Sequence, residues 1–443
     1  MKIAIVGAGI SGLTTAFYLK RLRPGWDLTI FDAGTRPGGT MRTVDVDGFR
    51  FEAGGNGFLT NKPDGLKLVE DCGAGALLLP SSDLARKRFI FNGALHPLPE
   101  SPQAFLKSGL LTWPQKLRVA GELFIRPRRD GGEETLQQFG YRRVGKGLTD
   151  VFLDAMTAGI YGTTPAKVSV SAAFPLVVNL EKEYGGLFKG MLAKRKKGAG
   201  PGGILMSFKG GVGTLVEHLR STIEAEWQLG QPVGGISRDG ALWRVESPQV
   251  SRSFDQVVVG AQAHASAGMF RRSDPELSRL MQAVEYTPIA VVGLGYRAMK
   301  HPLDGFGLLT TTSAKLPVLG ILWDSSIFPD RAPEGCKAVR IMIGGQRNPE
   351  LANQDPQGLQ RTAMEGLAQT MGVIQEPDVV FTHRWEKGIP HYVVGHLPRV
   401  EAIFERSRRQ AGLHLVCNAY RGIAMNDCVR NGRELAGQIA GAN

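Results

Sequence analysis

Ile3-Ala4-Ile5-Val6-Gly7-Ala8-Gly9-Ile10-Ser11-Gly12 decides the fold. An apolar run that fits a buried strand passes without a gap into glycines at 7, 9 and 12, and the spacing from Leu13 to Leu22 predicts a helix. The three glycines serve different ends, namely a tight turn, room for a pyrophosphate against the backbone, and close packing of helix on strand. The helix N-terminus adds unpaired N–H groups and positive dipole charge. Asp32 ends the next apolar strand, Leu28-Thr29-Ile30-Phe31. It falls about 20 residues beyond the glycines, where a carboxylate can bond a ribose hydroxyl. A glycine-rich turn alone also arises for steric reasons, but strand, glycines, helix, strand and acid in this order read as a dinucleotide site.

Two features extend that reading. Arg36-Pro37-Gly38-Gly39-Thr40-Met41-Arg42 carries a second glycine pair that can bring backbone to the same diphosphate. This extension resembles the flavoproteins with two dinucleotide-binding domains, which hold FAD. At the other end, a strand over Leu413 to Cys417, a loop and a helix over Cys428 to Ile439 are expected to close with the N-terminal unit over one ligand.

At 443 residues and 42% hydrophobic content the chain is expected to divide into two or three lobes, and disorder is excluded. Cys72, Cys336, Cys417 and Cys428 form no CxxC or Cys/His cluster, which argues against a metal site and a disulfide scaffold and for a reduced cytoplasmic setting. No leader is read at Met1, and no apolar run reaches the roughly 20 residues of a spanning helix. Much of the net charge of +12 lies between Lys107 and Lys197, in Arg126-Pro127-Arg128-Arg129, Arg142-Arg143 and Lys194-Arg195-Lys196-Lys197. It alternates with apolar segments, a combination that suits an anionic membrane face and peripheral, monotopic attachment. A plain solvated face is the alternative, and no nucleic-acid motif is present. A homodimer remains open.

The chain reads as α/β, with a mixed-sheet substrate domain and an inserted helical lobe. Residues 1–62, 204–265 and 385–443 are expected to form a discontinuous, Rossmann-like FAD domain. Residues 63–104 and 266–384 form the substrate domain, with short strands at Ile289 to Tyr296, Val318 to Leu322 and Val339 to Gly344. Residues 105–203 form the lobe, closing in a glycine-rich link at 198–203.

Several motifs then stand in one family's order. They are Phe51-Glu52-Ala53-Gly54-Gly55-Asn56-Gly57, Arg88-Phe89-Ile90-Phe91-Asn92-Gly93, Ala158-Gly159-Ile160-Tyr161-Gly162, Ser207-Phe208-Lys209-Gly210-Gly211, Phe328-Pro329-Asp330-Arg331, Ile389-Pro390-His391-Tyr392 and Asn418-Ala419-Tyr420-Arg421-Gly422-Ile423-Ala424-Met425-Asn426-Asp427-Cys428. Over nearly its whole length the chain resembles the oxygen-dependent protoporphyrinogen and coproporphyrinogen oxidases of haem synthesis. The resemblance implies FAD against Gly7, Ala8, Gly9, Ile10, Ser11 and Gly12, Asp32, Gly38, Gly39 and Thr40, and the loop Gly54, Gly55, Asn56 and Gly57. Val233 would meet adenine, and Trp385 with Ile423, Ala424 and Met425 would lie near the isoalloxazine. Core packing is the alternative for Trp385, and Asp427 reads as an N-cap. On the substrate side the resemblance places Arg88 at a propionate, Phe306, Leu309, Leu322 and Met342 against pyrrole rings, and the Gly159 carbonyl near the macrocycle. The alternatives are a surface ion pair for Arg88 and ordinary core for the four apolar residues.

The implied reaction takes hydride from a bridging methylene and a proton from a pyrrole nitrogen, three times in all, with oxygen as acceptor and hydrogen peroxide released. Protoporphyrinogen IX is the preferred substrate and coproporphyrinogen III the alternative. An amine oxidase or carotene desaturase on the same frame, and a flavin-retaining scaffold without activity, are the competing readings. No general base is required. Asn56 is the candidate orienting group at the catalytic centre, with a plain turn residue as its alternative. The sequence departs from the family at Cys417, where glycine is usual, at the bulkier Ile423 to Met425, and at Asp32 in place of the more frequent Glu.

Overall fold

The computed structural model describes residues 1–128, 131–196 and 203–441. Most of the expected link, 198–202, lies outside the described residues, as do Arg129 and Lys197 of the basic runs.

The opening motif forms the centre of a five-stranded sheet. Lys2–Val6 pairs in parallel with Asp27–Asp32 on one side and Gln256–Val259 on the other. Glu226–Leu229 and Leu413–Leu415 complete the edges, also in parallel. Strands buried on both faces need continuous apolar runs, and Ile3, Ala4, Ile5, Val257 and Val258 are fully buried. On one side the sheet packs against Ile10–Leu22, Gly213–Thr222 and Met425–Ala440. On the other side, Gly235–Asp239, Leu242–Glu246 and Ser251–Phe254 form an antiparallel meander that covers the core.

A second, seven-stranded sheet holds Val379–Pro390, Tyr286–Tyr296, Lys337–Gly344, Val318–Leu322, Gly307–Thr310, Arg88–Phe91 and Leu95–Pro97 in that spatial order. The helix Pro356–Met371 buries one of its faces with Val292, Leu308, Ile321 and Ile341. The register assigns the opposite face. Arg88, Leu309, Leu322, Arg340, Met342, Val291, His383 and Trp385 all project there, because each stands opposite, or two residues along from, another member or Gly307, which faces both Arg88 and Leu322. Phe49 and Phe51 of the hairpin strand Phe49–Glu52 lie across part of this face, where Gly293 and Gly295 make room for their rings.

Between 102 and 196 the chain is helical, as its spacing implies, from Pro102–Lys107 to Leu187–Lys196. Ser101 caps the first helix, and Thr112 and Thr135 open later ones with capping boxes. The buried Arg143 and Glu122 form an ion pair, and Glu122 also accepts the N–H groups of Leu187 and Phe188. A π-helical turn, Thr149–Leu153, precedes Asp154–Tyr161 in one run, and the latter helix packs on the open face of the seven-stranded sheet. Arg347 holds Asp154 there at 2.9 Å. Among the described residues no helix is long and apolar enough to cross a membrane, and no His/Cys/Asp/Glu group could hold a metal ion.

The tail departs from expectation in one respect. Its helix begins at Met425 rather than Cys428, with Ala424 as an N-cap that offers no side-chain bond. Asp427 therefore sits inside the first turn and not at the cap, and its carboxylate is bonded by Lys62 at 2.8 Å and Arg430 at 3.1 Å.

Candidate functional site

A cavity of about 1010 Å³ opens at the C-terminal ends of the five-stranded sheet. It stands at the upper end of ordinary ligand pockets, roughly 300–1,000 Å³. Gly7, Gly9, Ile10, Ser11, Asp32, Gly38, Gly39, Thr40, Gly55, Gly57, Val233, Trp385, Ile423, Ala424 and Met425 all line it. Head and tail therefore meet around one space.

The glycines divide by function. Gly7 is held at φ +105°, and a Cβ there would meet the Ala261 nitrogen at 2.6 Å. A Cβ on Gly12 would lie 2.0 Å from the Gly7 carbonyl oxygen. Those two are required by packing. Gly9 and Gly55 are different, since a Cβ at either would meet nothing within 4 Å, and both border the cavity. The second glycine loop is tied to the first, for Gly38 N–H donates to the Ala8 carbonyl at 2.8 Å.

Two helix N-termini meet the cavity, Ile10–Leu22 and Met425–Ala440, and neither has a side-chain cap. Such ends carry unpaired N–H groups and positive dipole charge. Asp32 accepts N–H bonds from Ala8 at 2.7 Å and Gly34 at 2.8 Å. Burial raises its pKa, while those two bonds act against the rise.

Four sequence-derived cofactor positions do not line the cavity. Ala8 and Gly12 are buried behind the turn. A Cβ on Gly54 would lie 2.2 Å from the Thr40 carbonyl oxygen, so this glycine is a packing requirement between two lining loops. Asn56 lies between two lining glycines, and its buried Oδ1 has no hydrogen-bond partner.

None of the six substrate positions lines this cavity. Arg88, Leu309, Leu322 and Met342 instead share the open face of the seven-stranded sheet, the face whose far end is Trp385. Arg88 is exposed and makes no ion pair among the described residues; its guanidinium lies 5.1 Å from the centre of the Phe306 ring. Phe306, Leu309, Leu322 and Met342 are half-buried rather than sealed in core. Gly159 is exposed at the end of the overlying helix, where a Cβ would crowd Leu309 at 2.8 Å, and its neighbour Ile160 lines the cavity. Trp385 donates its indole N–H to the Ala53 carbonyl at 2.7 Å, which fixes the ring between face and cavity.

Other lining residues carried no sequence signal. Lys387 and His264 are isolated in the chain, and Gln231 and Pro232 precede Val233 without a motif. Burial, with the Lys387 charge nearby, lowers the His264 pKa to about 4, so this imidazole is neutral. Cys417 and Cys428 also line the cavity, and burial pushes them up to about 12 and about 11. Both are unreactive thiols at neutral pH.

The pattern of flavin containing amine oxidoreductases matches residues 10–440. The chain belongs to that family. Its relatives include a coproporphyrinogen III oxidase of Bacillus subtilis, 26% identical over 97% of this chain and 96% of the relative. A mitochondrial protoporphyrinogen oxidase of Nicotiana tabacum is 29% identical over 97% of this chain and 93% of its own length. A crystal structure from Exiguobacterium sp. 255-15, provisionally assigned as a protoporphyrinogen oxidase, superposes with a TM-score of 0.87 at 26% identity, covering 100% of this chain and 99% of the other. This flavin containing amine oxidoreductase is thus an FAD-dependent oxidoreductase, and its cavity fits the cofactor. Gly9 and Gly55 leave open space that no protein atom fills, the uncapped helix ends suit a diphosphate, and the Asn56 acceptor is unspent.

Proposed function

We propose that this chain oxidises protoporphyrinogen IX to protoporphyrin IX. The observation that carries the reading is the sheet face on which Arg88, Leu309, Leu322 and Met342 run toward Trp385 at the edge of the flavin cavity. Leu309, Leu322 and Met342 give this surface an apolar stretch, the Arg340 charge within it is buried and paired with Asp324, and the exposed cation of Arg88 stands at one end, which suits a macrocycle with carboxylates at one edge. The names of the relatives in Bacillus subtilis and Nicotiana tabacum point to the same substrate class.

When bound, FAD supplies the acceptor for the substrate hydride, and oxygen takes the electrons onward with release of hydrogen peroxide. The chain's own contribution is binding, orientation and exclusion of water. Gly9, Gly39, Thr40 and the uncapped Ile10–Leu22 terminus would hold the diphosphate through main-chain N–H groups, since the N–H groups of Gly7, Ala8 and Gly38 are spent on Phe31, Asp32 and Ala8; Asp32 would take a ribose hydroxyl on a free lone pair, and Val233 would meet the adenine. Trp385, with Ile423 to Met425, brackets the ring end, where the Met425–Ala440 terminus favours negative charge. Arg88 bonds a propionate with its fork, and Phe306 braces the guanidinium from below. Leu309, Leu322 and Met342 keep the macrocycle dry, and the Gly159 carbonyl borders it. Asn56 orients through its unspent Oδ1. The substrate's pyrrole N–H groups release the protons, so no side chain serves as the base. Protoporphyrinogen IX is preferred over coproporphyrinogen III because Arg88 is the only cation among the six substrate positions.

The division into FAD domain, substrate domain and helical lobe belongs to the same proposal, with the lobe attached to an anionic membrane surface. Trp113, Leu117 and Phe124 support it, being 64%, 70% and 87% exposed within a basic region. The deciding experiment incubates the purified yellow protein with each porphyrinogen under air and follows porphyrin fluorescence. The expected result is faster oxidation of protoporphyrinogen IX. No gain over autoxidation with either substrate defeats the reading.

A further inference from the structure

The segment leading into the flavin loop spends three successive carbonyls on the seven-stranded sheet. Arg340 Nη1 donates to the Glu52 carbonyl at 2.6 Å and to the Gly54 carbonyl at 2.9 Å. Between them, the Ala53 carbonyl accepts from Trp385 at 2.7 Å. The segment bends here, after the strand Phe49–Glu52 ends, and two side chains of the seven-stranded sheet grip three consecutive carbonyls through the bend. Arg340 is fully buried, and its charge is met by the equally buried Asp324, whose Oδ2 lies 3.0 Å from Nε.

Arg340 also shares its sheet face with Leu322 and Met342, standing directly opposite Leu322 and two residues before Met342. A cation on that face would ordinarily be free for a carboxylate. Here it is consumed by the main chain at the start of Gly54 to Gly57, the loop whose Gly55 and Gly57 line the cavity. The far side of the loop is tightly confined, for a Cβ on Gly54 would strike Thr40 and one on Gly57 would lie 1.9 Å from the Met206 carbonyl oxygen. Its position therefore follows the donors that hold its leading carbonyls.

We propose that Arg340 is a positioning residue that sets the Gly54 to Gly57 loop against the flavin and locks it in register with the candidate substrate face. The inference rests on the flavin-site reading above and needs no particular substrate. It also accounts for an arginine at this point, since a lysine ammonium lacks the planar fork that can serve two carbonyls and a carboxylate together.

The test uses the full-length protein with Arg340→Met and Asp324→Asn combined, so that neither charge is left buried alone. FAD affinity of the apoprotein is read by quenching of flavin fluorescence, and the visible spectrum of the holoprotein is recorded beside it. The parent is measured first, and a parent that binds no FAD removes the flavin-site reading itself. With a parent that binds, the double variant is expected to lose about tenfold or more in FAD affinity and to show an altered flavin band shape. Arg340→Lys is expected to fall between the two, and it decides the matter if the double variant does not fold. Parent-like affinity and spectrum in the folded variant overturn the proposal. A control removes another buried pair, one remote from the loop, with Arg143→Met and Glu122→Gln in the helical region. Equal loss of FAD affinity there would show general loosening and would also overturn it.

Discussion

Gly9 and Gly12 stand in one turn of sequence and are glycine for opposite reasons. A Cβ on Gly12 strikes the Gly7 carbonyl at 2.0 Å, whereas one on Gly9 enters open space at the cavity wall. Gly12→Ala should therefore cost the apoprotein about 1–3 kcal/mol of stability, as overpacking does. Gly9→Val should leave the apoprotein's melting temperature within error and weaken FAD binding, because the added methyl groups occupy ligand volume. Thermal melts of both apoproteins with FAD titrations check this, and equal destabilisation by the two substitutions would refute it. At Arg88 the expected loss is on the substrate side alone. Arg88→Ala should raise KM by the loss of a charge-assisted bond, about 1.5–3 kcal/mol, with flavin content unchanged. Steady-state kinetics beside the flavin absorbance separates the two, and unchanged KM removes Arg88 from the site. The glycine code was legible because each position answers to local geometry within a dozen residues. Asp427 is the converse case: the helix starts two residues earlier, at Met425, and the carboxylate's partner Lys62 lies 365 residues away in the chain, which nothing at the position itself announces.

Elements add what residues cannot specify alone. The helices Ile10–Leu22 and Met425–Ala440 approach closely at Gly432, where a Cβ would meet the Ser11 carbonyl oxygen at 2.9 Å and Thr14 at 3.0 Å. Gly432→Val should push the helices apart, and both uncapped termini with them. FAD affinity is expected to fall about tenfold together with a loss of about 1–3 kcal/mol in stability, read by titration and by melting. Parent-like FAD affinity in a folded Gly432→Val protein would show that the two termini do not act as a pair. In the helical region, Phe124→Asp combined with Leu117→Asp removes apolar exposure without touching the cavity. Flotation with anionic vesicles at low salt should drop while flavin content stays level, and undiminished flotation would sink the attachment surface. Helical spacing from Phe105 onward made that region readable. The shared face of Arg88, Leu322 and Met342 was not readable, because it is set by register between strands more than two hundred residues apart.

Across the whole molecule the buried and half-buried histidines couple the two sheets and the tail to proton concentration. Burial is the first cause that lowers the pKa of His264, His396 and His414 to about 4, and the same cause lowers His301, His383 and His391. Their unfolded values are near 6.5. Between about pH 6.5 and pH 4 the unfolded chain therefore binds more protons than the native one, and stability falls as the medium is acidified through that window. Glu52 and Asp324 have the opposite sign, for burial raises their pKa and protonation at low pH favours the folded state. A single variant separates the two contributions. His396 is fully buried, with its ring stacked on Tyr392 at 4.0 Å and Nε2 lying 3.3 Å from the Tyr420 carbonyl oxygen. His396→Gln should lose stability at pH 7 through packing, yet fall less steeply than the parent from pH 6.5 to 4, because it no longer carries a group that must stay neutral to remain buried. Urea midpoints at constant ionic strength across that range give both slopes. Parallel profiles would mean that His396 does not contribute to the acid sensitivity, and the slope would then belong to the other histidines whose pKa burial lowers.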